Sequence, residues 1–196
     1  MTLDLLDWRR RVAALYADVR AADDPAAAHA MWCARRQELF STHPESADRT
    51  AVLRHAPYDP RYRCQVSLDA GLEPVRIEIA TATDGVVPFE RLGQVNIEWV
   101  GTLDVWWLAS YGGGVWLPIR DSNPETYGGG RYVLDTVKGA DLGDAYDDFT
   151  GMRVLIVDLN FAYNPSCAYD ERWACPLAPP GNVVDTSIEA GELLPA

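Results

Sequence analysis

From Arg61 to Leu68 the chain reads R-Y-R-C-Q-V-S-L. Tyr62, Cys64, Val66 and Leu68 alternate with polar or charged partners, the period of a half-buried antiparallel strand. The same period returns at Val75, Ile77 and Ile79, and at Val95, Ile97 and Trp99 against Asn96 and Glu98. Further strands are expected over 103–109, 114–120, 131–137 and 153–160, separated by turn chemistry rather than helix-length inserts. Upstream the period is helical. Leu5, Trp8, Val12, Leu15 and Val19 follow steps of three and four, predicting a helix over 4–20. Asp24-Pro25 supplies an N-cap and a first-turn proline for a second helix to about Phe40, which the run Ser41 to Pro44 ends.

These patterns predict an α+β fold, mainly antiparallel β. A barrel or sandwich-like meander of about seven strands would carry the N-terminal pair of helices on one side or end, followed by an irregular C-terminal wrap. One domain is expected over 1–196, with a helical element at 1–42 and a β domain with its wrap at 58–196.

The 196 residues are 48% apolar, enough for a substantial core without staples. A formal charge of -12 argues against nucleic acid or an anionic membrane as partner, since a polyanion would be repelled. Arg9-Arg10-Arg11 and Arg35-Arg36 are the tight basic runs and read as solvated helix faces. No signal-peptide core precedes the first helix and no apolar run reaches bilayer length, so a soluble, cytoplasmic protein is expected. Four scattered cysteines, Cys33, Cys64, Cys167 and Cys175, read as reduced thiols by default.

Chemistry concentrates in the aperiodic stretch Asp158 to Asn182, too aromatic to read as disordered. The three histidines all precede the β region and no G-x-S-x-G elbow is present, which disfavours a hydrolytic triad. Zinc spacings, a P-loop and a dinucleotide fingerprint are also missing, so neither metal nor nucleotide cofactor is expected. Asp158 and Asn160, two apart on the predicted strand, would share a face with Val154 and Ile156 and put polar groups at a pocket mouth or in a polar network. Asp158 would have a raised pKa unless Arg131 or Arg120 pairs with it. Cys167 and Cys175 are readable as small buried hydrophobes, a redox pair closing a loop, or a thiol nucleophile with a helper. Y-G-G-G occurs twice, at Tyr111 and Tyr127. The first copy reads as a hairpin turn, whereas the second leads into Arg131, either a ligand contact or the partner of Asp121 or Asp158.

The chain resembles an uncharacterised family, the domain of unknown function 1684. The residues that carry this are W-R-x-R in the first helix, L-F-x-x-H-P-x-S at Leu39 to Ser46, and Asp121 followed by E-T-Y-G-G-G-R-Y at Glu125 to Tyr132. D-x-N-x-A-Y-N-P-x-C-A-Y at Asp158 to Tyr169, W-x-C-P-L-x-P-P at Trp173 to Pro180, then Asn182 and A-G-E at Ala190 to Glu192, complete the pattern. Gly181 stands where the family has a glutamate. The resemblance implies a stand-alone domain and singles out polar residues, among them His43, Tyr169, Cys175, Asn182 and Glu192, as a pocket lining or a buried hydrogen-bond network.

The functional expectation is an enzyme acting on a small anionic molecule by acid-base chemistry in a β-domain pocket. Asp158 would be the acid or base with Tyr163 and Tyr127 beside it. Arg131, Asn160, Asp121, Asn164 and Cys167 would hold the substrate. The alternatives are a non-catalytic binder of a hydrophobic or aromatic metabolite and, more weakly, a flavin-binding barrel. Oligomeric state stays open, with a homodimer among the options.

Overall fold

The stripe of threes and fours folds as α1 (Leu3–Ala21), followed by α2 (Pro25–Thr42), in the computed structural model, which describes residues 3–81, 85–173 and 175–195. The Asp24 carboxylate accepts a hydrogen bond from the Ala26 amide at 2.9 Å, satisfying a donor that every helix start leaves free, and Pro25 has no amide hydrogen to lose. At the other end the His43 amide donates to the Leu39 carbonyl at 3.1 Å. Only the second half of the α1 stripe is deeply buried, through Leu15 and Val19, joined by Tyr16 beside it.

The strands are β1 (Arg63–Val66), β2 (Arg76–Thr81), β3 (Gly85–Ile97), β4 (Gly101–Leu108), β5 (Val115–Ile119), β6 (Arg131–Asp135), β7 (Asp144–Tyr146) and β8 (Arg153–Asp158). They form two antiparallel sheets, a meander ordered β2-β3-β4-β5-β6 and a smaller sheet ordered β1-β8-β7. The sandwich-like expectation therefore holds and no closed barrel forms. The strand beyond the predicted set is β7, three residues that pair with β8 and are too short to show a period.

The large sheet is covered on both faces. Val95, Leu103, Val105, Leu117, Ile119 and Val133 pack against Val157, Leu159 and Ile188. On the other face Phe89, Trp106, Trp116 and Tyr132 receive Leu15, Tyr16 and Trp32 from the helices. Each large side chain buried there contributes about 1.5–3 kcal/mol, so the helical head is fixed to the sheet by packing. At the first Y-G-G-G, Gly112 and Gly113 turn the chain between β4 and β5 with φ of 93° and 56°, the expected hairpin role.

The C-terminal wrap is held by isolated backbone bridges, Arg120 with Val183 and His55 with Glu192, and by side-chain staples. Asn182, fully buried, accepts from the Trp106 indole at 2.8 Å and donates to the carbonyls of Asp104 and Pro118 at 2.8 and 2.9 Å, tying the wrap to β4 and β5. The carboxylate of Asp104 lies 2.0 Å from where a Cβ on Gly181 would sit. A side chain at 181 would require the Asp104 carboxylate to move.

Candidate functional site

Asp158 ends β8 and caps the short turn Leu159–Phe161, so Asn160 lies in that turn and not on the strand as predicted. The Asp158 carboxylate turns back on its own chain, accepting from the Asn160 amide at 3.0 Å and side chain at 2.7 Å. Arg63 reaches it at 3.3 Å, in place of the expected Arg131 or Arg120. Asn160 in turn holds both backbone groups of Asp59, accepting from the amide and donating to the carbonyl, each at 2.9 Å. Burial raises the Asp158 pKa, opposed by these donors. The D-x-N pair is thus a clamp that ties the segment entering β1 to the end of β8.

Arg131 starts β6 fully buried. It pairs with Asp121 at 2.8 Å and donates to the carbonyls of Ala190 and Glu192. Asp121 also accepts from the Asn123 and Ile188 amides and the Thr126 hydroxyl. This second clamp anchors the wrap from beneath.

A third cluster centres on Glu192, which the family resemblance singled out without a role. Its carboxylate accepts from Arg36 at 2.9 Å, from the Asn164 amide at 2.8 Å and from the Tyr169 hydroxyl. Arg36, read from the sequence as solvated, has a side chain only 12% exposed and lies over the Tyr163 ring at 4.9 Å. The aliphatic and aromatic face of α2 points inward at Trp32 and Phe40, and Arg36 shares it at the four-residue step.

The second and third clusters meet at Glu192, whose carbonyl accepts from Arg131, but the predicted site residues do not converge. Asp158, Arg131 and Cys167 share no hydrogen-bond partner among the described residues, and none of the three lines a principal cavity. Tyr163 and Asn164 do. They wall a cavity of about 60 Å³ with Trp8, Tyr16, Arg36, Phe40 and Lys138, beneath the two helices. Two residues of this wall carry a buried polar atom with no close hydrogen-bond partner, Tyr16 Oη and Asn164 Oδ1, although the Trp32 indole lies near enough to Tyr16 to oppose the rise in its pKa. Unpaired polar atoms inside a protein are costly and call for a ligand or water. Burial pushes the phenols of Tyr16 and Tyr163 up, so both stay protonated donors. Tyr163 donates to Asp135 at 3.1 Å, which Lys138 pairs at 2.9 Å. Arg9 is near enough to Lys138 for their like charges to interact, while the two cations of the wall, Arg36 and Lys138, are each paired with a carboxylate. Larger depressions, of about 260 Å³ along Arg11 and Arg35 and about 380 Å³ along Arg20 and Thr136, are more open to solvent, and neither wall holds an unpaired buried atom.

Sequence reasoning missed Tyr16, Arg36 and Lys138. Tyr16 sits one place off the α1 stripe, and only a count of the wider apolar face would have included it. Tyr127 lies apart from the cavity with Cys167. Among the described residues no group of three or more His, Cys, Asp or Glu is placed to hold a metal, and no helix is long and apolar enough to cross a membrane.

Behind Glu192 lies a pH-sensitive group. Burial pulls the His55 imidazole down from 6.5 to about 4, with the Glu192 charge opposing, and its Nε2 has no partner. A depressed folded pKa means the neutral form is favoured, so this stability is complete above pH 6.5 and is lost as pH falls towards 4. Urea denaturation across that window is expected to show a loss on the order of 3 kcal/mol from this residue. His55→Phe should flatten that part of the profile, and an unchanged slope would show that His55 is solvated.

The profile of a family described as protein of unknown function, DUF1684, matches residues 50–193, which takes in Lys138, Tyr163, Asn164 and Glu192. The chain is also similar to the solution NMR structure of an uncharacterised protein from Haloarcula marismortui. That likeness has 26% identity and a TM-score of 0.55, covering 82% of this chain and 89% of the other. No curated protein matches.

Proposed function

We propose that this chain, which belongs to the DUF1684 family of proteins of unknown function, binds a small anionic molecule in the cavity beneath α1 and α2. The observation that carries the reading is a cavity wall that holds Arg36 and Lys138 together with Tyr16, whose buried hydroxyl has no close hydrogen-bond partner. An anionic group entering there would accept from the Tyr16 phenol and face the Lys138 ammonium, while Asn164 Oδ1 would take a donor from the same molecule. Trp8 and Phe40 supply the apolar part of the wall. At about 60 Å³ the enclosed part suits the head group of a small acid, with the remainder of the ligand at the mouth.

Acid-base catalysis at this site is the second reading, favoured by the Tyr163–Asp135–Lys138 chain, in which a protonated phenol is already hydrogen-bonded to a carboxylate. Asp158 enters this reading only as support, since its partners hold the fold. A flavin has no closed barrel to occupy.

Tyr16→Phe separates binding from folding. Removing a buried, unpaired hydroxyl is expected to leave the free protein as stable as wild type or about 1 kcal/mol more stable. The same change should weaken binding of the acids used as probes, acetate and benzoate, about tenfold. Calorimetric titration of both proteins checks this, and equal affinities would move the ligand elsewhere.

A further inference from the structure

The second Y-G-G-G and the two C-terminal cysteines meet outside that cavity. Gly129 carries no side chain where a Cβ would lie 2.5 Å from the Tyr127 ring and 3.0 Å from Leu177, so the ring can fold back over its own turn. The Gly129 carbonyl accepts from the Ala178 amide at 3.2 Å, and the Tyr132 hydroxyl donates to the Pro176 carbonyl at 2.6 Å. Both contacts pin the strip that begins at Cys175. Cys167 stands on the short turn Ser166–Ala168, where the Tyr127 hydroxyl donates to its sulfur at 3.7 Å. The Cys175 thiol and amide lie close enough to that sulfur to favour its thiolate.

We propose that Cys167 and Cys175 are a redox-active dithiol that reduces hydroperoxides, with Cys167 attacking, Cys175 resolving and Tyr127 as a positioning residue. The Cys167 sulfur attacks one peroxide oxygen, the O–O bond breaks, and the proton given up by the thiol ends on the departing alkoxide, leaving a sulfenic acid and an alcohol. The Cys175 thiol then displaces water from that sulfenic acid and the disulfide closes. Two thiols are oxidised by two electrons and one hydroperoxide is reduced, so the step balances with the hydroperoxide as sole co-reactant. Both cysteines are half-buried, open enough for a small oxidant, and both are free thiols. Donation from Cys175 and Tyr127 lowers the Cys167 thiol to about 6, whereas burial raises Cys33 to about 12 and Cys64 to about 11. The pair alone among the described cysteines combines a neighbour thiol with a charge-supporting donor. Disulfide closure would also lock the turn carrying Tyr169, whose hydroxyl holds Glu192.

The test treats the reduced full-length chain with hydrogen peroxide and locates products by mass spectrometry. The expected product has lost two hydrogen atoms and carries a peptide cross-link between Cys167 and Cys175. Cys175→Ser should accumulate sulfenic acid on Cys167, trapped by dimedone, with Cys33 and Cys64 unlabelled. Tyr127→Phe should raise the midpoint of the thiolate absorbance titration and slow oxidation several-fold without moving the cross-link. Four intact thiols after complete oxidation of free cysteine, a cross-link through Cys33 or Cys64, or no adduct on Cys167 in Cys175→Ser would each overturn the proposal.

Discussion

Arg131→Met is expected to destabilise the protein by ~3–5 kcal/mol, because methionine keeps much of the volume but leaves a buried carboxylate without its cation. The Asp121 side chain is 1% exposed and that of Arg131 is fully buried, so water cannot replace the lost partner. Three protein donors to Asp121 remain, which is why the loss stops short of a bare buried charge. The two carbonyls at Ala190 and Glu192 lose their donor as well, so the end of the wrap loosens with the pair. For a chain of this size the melting temperature should fall by roughly 10 °C. Adding Asp121→Leu should recover part of it, since an apolar pair avoids the desolvation that the ion pair must offset. A fall of only a degree or two would mean that Arg131 is solvated and free for a ligand.

Glu192→Gln should also cost ~3–5 kcal/mol, this time by leaving Arg36 uncompensated. The amide can still accept from the Asn164 backbone, so the loss is of charge rather than of shape. Its effect on binding runs the other way. With Glu192 neutral, the Arg36 guanidinium faces the cavity with its charge uncancelled, and acetate and benzoate should bind more tightly and restore more stability than in wild type. Arg131 donates to the Glu192 carbonyl, so the two substitutions touch and their effects should not add. Weaker binding in Glu192→Gln would show that the carboxylate itself contacts the ligand.

Much of the fold was legible because its signals are local. The α1 stripe and the Asp24-Pro25 start mark the helices, and the period-two runs mark most strands. β7 was not legible, since three residues joined by pairing alone carry no pattern. The turn after Asp158 escaped for a different reason. Asp158 uses its side chain to hold the backbone amide of Asn160, which ends the strand two residues before the polar spacing suggests. The Arg131–Asp121 pair was one of the partners the spacing allowed. Arg36 was read as part of a solvated doublet because its partner, Glu192, lies 156 residues away and joins it only in the folded chain. Many of the motif residues accordingly sort into clamps, one joining the segment entering β1 to the end of β8 and two holding the wrap, while part of the cavity wall comes from Val12, Tyr16 and Arg36, helical residues that carry no motif.

The central claim is that small acids enter beneath the helices, against Tyr16, Lys138, Tyr163 and Asn164, and not at Asp158. Nitrogen-15 NMR titration of the wild-type chain with acetate and benzoate, repeated on Tyr16→Phe, measures this directly. The account predicts saturable shifts at Lys138, Tyr163 and Asn164 that weaken in Tyr16→Phe, with the Asp59 and Asn160 amides unmoved. Shifts centred on Asp158, Asn160 and Arg63, indifferent to Tyr16, would contradict it.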